Sequence, residues 1–107
     1  MKILVVDDDL NCCEGLSELL GSEGHVVMAC RNGKRALAVL EAETYDALLT
    51  DLVMSGMSGL ELVSSARRAH PQIRCFVMTG HAPRDEPYIH WVAKPIDFDL
   101  LLTMLTS

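Results

Sequence analysis

Two apolar runs in this 107-residue chain end in acid. Ile3-Leu4-Val5-Val6 is followed by Asp7, Asp8 and Asp9, and Ala47-Leu48-Leu49-Thr50 is followed by Asp51. A third run, Cys75-Phe76-Val77-Met78, ends in Thr79 and Gly80, and a fourth, over 88–93, ends in Lys94 and Pro95. Short continuous apolar runs read as buried parallel strands. In open α/β sheets, ligands bind beyond the carboxyl ends of the strands. Carboxylates, a hydroxyl and an ammonium delivered to that edge describe a reaction centre. Clustered acids resist ionising together unless a cation sits among them. The pattern therefore calls for a divalent metal and an anionic species to bind it.

The elements that must position these residues alternate. Strands are expected over 2–6, 25–30, 46–50, 74–78 and 88–93. Between them, 10–21 carries Leu16, Leu19, Leu20 and Cys12 or Cys13 at helical spacing, closed by Gly21 and Gly24. Asn32-Gly33 reads as a turn, followed by a helix over 34–43 with Leu37 and Leu40 inward. A Gly/Ser-rich loop over 55–58 leads into a helix over 59–70 that Pro71 stops. A last short helix covers 98–105. Alternating strands and helices imply a parallel, doubly wound sheet. One link breaks the rhythm: residues 80–87 contain Pro83 and Pro87. A parallel crossover ordinarily takes about a dozen residues or more, and proline is excluded from a helix interior. No full helix fits there, at most one turn begun by Pro83.

The length suits one domain spanning 1–107 with a single core. A formal net charge of −6, with scattered Lys and Arg, argues against direct nucleic-acid binding. No apolar stretch approaches the ~20 residues needed to span a bilayer, and the N-terminus lacks the pattern of a signal peptide. The expected location is cytoplasmic. Cys12, Cys13, Cys30 and Cys75 show no metal-ligand or redox spacing and read as small apolar fillers.

The Lys-Ile-Leu-Val-Val-Asp-Asp-Asp opening, Asp51, the Met-Thr-Gly of 78–80 and the Ala-Lys-Pro of 93–95 stand in order on the right elements. Together they make the whole chain resemble the receiver domain of two-component response regulators. That resemblance implies a flavodoxin-like, doubly wound, five-stranded parallel sheet of (βα)5 topology, in which the short 80–87 link replaces the helix between strands 4 and 5 with a loop. It implies that Asp51 accepts a phosphoryl group from a sensor histidine kinase or histidine phosphotransfer protein. Asp8 and Asp51 would bind Mg²⁺ (or Mn²⁺) directly, with the backbone carbonyl of Val53, and Asp7 through water. Lys94 would pair with phosphoryl oxygens, and Thr79 would bond one after transfer, coupled to Trp91 as the switch aromatic. An unknown downstream protein would read the switched surface. Such a domain catalyses only its own phosphoryl transfer and slow dephosphorylation.

The residues admit plainer roles beside these. Asp9 suits a helix N-cap, Asp7 a turn, Trp91 core filling and His81 a solvated loop. Val53 is apolar and should not itself position a hydrolytic water. Two features depart from the family pattern. Ser55 stands where the family has a proline, which should leave its loop more mobile. The short 80–87 link has no room for the family's fourth helix, part of its usual output face. Switching should then appear as loop reordering, visible as altered backbone exchange over 79–92 with an acyl-phosphate mimic. A phosphorylation-independent pseudo-receiver is the alternative. A haloacid dehalogenase-like phosphatase is a remote one, since Asp7-Asp8-Asp9-Leu10-Asn11 fits its first motif poorly. Whether the chain stands free or is cut from a longer regulator stays open.

Overall fold

The structure, a computed structural model, describes residues 1–81 and 86–107. Five strands, β1 (Lys2–Val6), β2 (Val26–Cys30), β3 (Ala47–Asp51), β4 (Arg74–Thr79) and β5 (Ile89–Ala93), form one sheet in the order β2-β1-β3-β4-β5. All neighbouring pairs are parallel. Four helices, α1 (Leu10–Ser22), α2 (Gly33–Ala42), α3 (Gly59–Ala69) and α4 (Phe98–Thr106), are seen among the described residues.

Successive strand side chains point to opposite faces, and the core divides accordingly. Leu4, Val6, Leu48, Cys75 and Val77 pack with Ala36, Leu40, Leu62, Val63 and Ala66 of α2 and α3. Ile3, Val5, Leu49, Phe76 and Met78 pack with Cys13, Leu16 and Leu20 of α1 and Leu101 and Leu105 of α4. The sheet is doubly wound, as the alternation of elements requires. Its strand order reverses between β1 and β3, so Asp7, Asp8 and Asp51 flank the crevice where such sheets take ligands.

Each helix begins on a side-chain cap of the kind sequence favours. Asp9 accepts from the Asn11 and Cys12 amides, Asn32 from Arg35, Ser58 from Glu61 and Asp97 from Leu100. Asn32-Gly33 is therefore a helix start rather than a separate turn, with Gly33 the first helical residue.

The last helix has no basic residue in its final turn. Arg74, at the start of β4, supplies that charge from across the fold. Its guanidinium donates to the carbonyls of Leu105 at 2.7 Å and Met104 at 3.0 Å. Arg74→Ala should cost about 1–2 kcal/mol, because two charge-assisted bonds to helix-end carbonyls are lost. Chemical denaturation measures this, and an unchanged midpoint would remove Arg74 from the account of α4.

The fifth strand is less buried than its apolar run suggests. Of its residues only Val92 is buried, because β5 lies at the sheet edge. None of the described residues between β4 and β5 is helical. The link closes on a turn in which the Ile89 amide donates to the Glu86 carbonyl at 3.1 Å. The Tyr88 ring lies under the Arg67 guanidinium of α3, 3.6 Å from its centroid. Pro83, expected to begin any turn there, lies outside the described residues.

Candidate functional site

The β1 and β3 ends bring Asp7, Asp8 and Asp51 together, with one carboxylate oxygen of each within 4.8 Å of the others. Asp7 is 1% exposed. Its Oδ1 accepts from the Asp9 amide at 2.9 Å, while its buried Oδ2 has no hydrogen-bond partner among the described residues. Asp8 is exposed, and its Oδ2 accepts from the Ser55 amide at 3.1 Å. Asp51 is buried at the β3 terminus, and its Oδ1 is paired with Lys94 Nζ at 2.8 Å.

Burial alone would lower the pKa of Lys94. The hydrogen bond and charge of Asp51, with Asp7 and Cys12 adding, outweigh it and hold the ammonium above its ordinary value. Among the described residues, Lys94 is thus the cation bonded to this cluster of three carboxylates, through Asp51. An oxygen-only donor set with a buried, unpartnered carboxylate oxygen suits a hard divalent cation such as Mg²⁺.

Thr79 ends β4 beside this cluster and is buried. Its hydroxyl accepts from the His81 amide at 3.0 Å, a local bond of the kind Thr makes in turns. The Lys94 amide donates to the Thr79 carbonyl at 2.9 Å, tying the two strand ends together. The Lys94–Pro95 peptide bond is cis.

Trp91 lies outside the charged cluster. It is partly buried against the α2–α3 core, pairs with Val77 in register and sits diagonally from Thr79, whose partner is Ala93. Its Nε1 is buried without a hydrogen-bond partner among the described residues. Val53 lies two residues past Asp51 with its side chain 69% exposed. Asp9 is an N-cap, as its position implies, and its amide also serves Asp7.

Two contributors carry no signal in the sequence. The Cys13 thiol donates to the Asp7 carbonyl at 3.0 Å and so braces the β1 end. Cys12 borders the Asp7 carboxylate, and its thiol is pushed up to about 12 by burial, with Asp7 adding. All four cysteines are free, with Cys13, Cys30 and Cys75 buried and Cys12 partly so. The second contributor is the Ser55 amide, whose bond to Asp8 the sequence, marking Ser55 only as a missing proline, does not signal. A proline at that position would have no N–H to offer Asp8.

A family model described as the response regulator receiver domain matches residues 3–106. A response regulator receiver protein of Anaeromyxobacter sp. (strain Fw109-5) is 36% identical over 110 aligned positions, covering 96% of this chain and 46% of that protein. The transcriptional regulatory protein ZraR of Klebsiella oxytoca is 32% identical, covering 100% of this chain and 26% of that protein. The chain therefore spans less than half the length of these curated relatives. Among solved structures, the response regulator protein TrrA of Thermotoga maritima, in complex with Mg²⁺-BeF, superposes with a TM-score of 0.88. It shares 31% identity, covering 98% of this chain and 96% of that one. Chemotaxis protein CheY4 of Vibrio cholerae, at 24% identity, has the same fold, with a TM-score of 0.90 over 98% of this chain and 95% of that one. Among the described residues, no helix is long and apolar enough to cross a membrane.

Proposed function

This chain belongs to the response regulator receiver domain family, and from that premise we propose that it accepts a phosphoryl group on Asp51 in a Mg²⁺-dependent reaction. The observation that carries the reading is the Lys94–Asp51 pair set among Asp7 and Asp8 at the crevice between β1 and β3. The donor is a phosphohistidine on a sensor histidine kinase or histidine phosphotransfer protein.

A carboxylate oxygen of Asp51 attacks phosphorus in line with the leaving imidazole nitrogen. The P–N bond breaks, a P–O bond to Asp51 forms, and the imidazole leaves with the electron pair. Lys94 starts the reaction bonded to the nucleophile. Its ammonium then holds phosphoryl oxygens, so positive charge is in place before charge builds there. The Thr79 hydroxyl leaves the His81 amide to donate to a phosphoryl oxygen, and Trp91 responds on the same sheet face.

Asp8, Asp51 and the backbone carbonyl of Val53 would hold Mg²⁺ (or Mn²⁺) directly, with Asp7 reaching it through water. Bound there, the cation supplies the charge that lets an anionic donor approach three carboxylates. The Mg²⁺-BeF complex of TrrA supports this cation class. The unpartnered Oδ2 of Asp7 supports it independently.

Incubation with acetyl phosphate tests the reading. The expected result is a mass gain of one phosphoryl group with Mg²⁺ present, lost when the cation is chelated. No gain under saturating Mg²⁺ would favour the phosphorylation-independent alternative, for which the helix-free described part of the link provides support.

A further inference from the structure

We propose that the backbone N–H of Ser55 is a positioning group for Asp8, one that couples the β3–α3 loop to the cation site. The inference rests on the metal-binding reading above. In each clustered carboxylate one oxygen has a close hydrogen-bonding partner. For Asp7 that partner is the Asp9 amide at 2.9 Å, inside the α1 cap, and for Asp51 it is Lys94 at 2.8 Å, at the end of β5. For Asp8 it is the Ser55 amide at 3.1 Å, from a loop 47 residues away in sequence.

Asp8 is the exposed member of the three. Packing therefore does least to fix its side chain, and the Ser55 bond does most. Ligating carboxylates are themselves oriented by hydrogen bonds, and losing such a partner typically costs metal affinity. The coupling also runs in the other direction. If the loop presents Asp8 to the cation, the cation must stabilise the loop by the same factor. The Ser55 bond is a main-chain bond, so the hydroxyl of Ser55 is dispensable while its N–H is not.

Proline is the residue the receiver family usually has at position 55, and the following Gly56 has φ of +80°. Ser55→Pro removes the N–H, and Ser55→Ala keeps it.

The test is calorimetric titration of Mg²⁺ alone into the unphosphorylated chain and both variants. Affinity should fall about 10-fold in Ser55→Pro and stay within about twofold of wild type in Ser55→Ala. Equal affinity in Ser55→Pro, or equal loss in both variants, overturns the proposal. Absence of Mg²⁺ binding by the wild type overturns the metal reading instead.

Amide exchange at Ser55 decides the matter without a proline, should that variant not fold. Exchange should slow about 10-fold when Mg²⁺ binds and speed up in Asp8→Ala. Exchange at Ser55 unchanged by both Mg²⁺ and Asp8→Ala overturns the coupling.

Discussion

Asp51→Asn is expected to show no detectable phosphoryl incorporation from acetyl phosphate at any Mg²⁺ concentration, while remaining folded. An amide oxygen is a far poorer nucleophile than a carboxylate, and no other carboxylate takes the same place. Asp7 is 1% exposed with one oxygen bonded to the Asp9 amide, and Asp8 is held by the Ser55 amide. Neither is the partner of Lys94, which bonds Asp51 at 2.8 Å. The fold should survive because the lost ion pair is partly exposed and such pairs contribute about 0–1 kcal/mol. Relief of repulsion from Asp7 and Asp8 offsets part of that loss. Asp9→Asn is the matched contrast. Asparagine caps a helix about as well as aspartate, and the Asp9 amide that serves Asp7 is retained. Incorporation should therefore persist in Asp9→Asn. Phosphoryl transfer in Asp51→Asn, located by mass spectrometry on another residue, would place the nucleophile elsewhere.

The second large effect concerns Gly59, the first residue of α3. A Cβ placed there would lie 2.3 Å from the Asp51 carbonyl oxygen and 3.0 Å from Leu52 Cα. Both obstacles are main chain, so no side-chain rotation relieves them. The Gly59 amide donates to the Leu52 carbonyl at 2.9 Å, which pins the helix start against the strand end. Gly59→Ala must push α3 away from β3 or displace the Asp51 backbone. Overpacking of this kind is expected to cost about 3 kcal/mol, and phosphoryl incorporation should fall with it, since the displaced residue is the proposed phosphoryl acceptor. Gly15 provides the opposite case. It lies inside α1, where an added Cβ would meet no atom within 4 Å. Gly15→Ala should stabilise by about 0.5–1 kcal/mol through helix propensity alone. Denaturant midpoints for the two variants moving the same way would sink the close-approach account of Gly59.

Much of this protein was legible in the chain itself. Apolar runs closing on Asp7, Asp51, Thr79 and Lys94 specified strands whose carboxyl ends converge, because parallel strands present the same end to one edge. Of the caps, Asp9 was legible too, because its bonds to amides two and three residues ahead are local and residue type with position places them. Asn32, which reads as a turn, and Ser58 and Asp97, which the sequence does not single out, cap their helices in the same way.

Contacts between distant segments were decided only by the tertiary structure. Arg74 reads as a strand residue, yet it holds the carbonyls at the end of α4. The 88–93 run reads as a buried strand, yet edge position leaves all but Val92 at least partly accessible. Nothing local to Gly59 announces that the Asp51 carbonyl will sit against it. Ser55 shows the difference most directly. In the sequence it is a missing proline and predicts a looser loop. In the fold, the N–H that proline would lack reaches Asp8. Residue type and spacing singled out the groups proposed to carry the chemistry, because strand and cap geometry repeat from one fold to the next. Which backbone atoms hold those groups depends on how separate segments meet, and that distance exists only once the chain has folded.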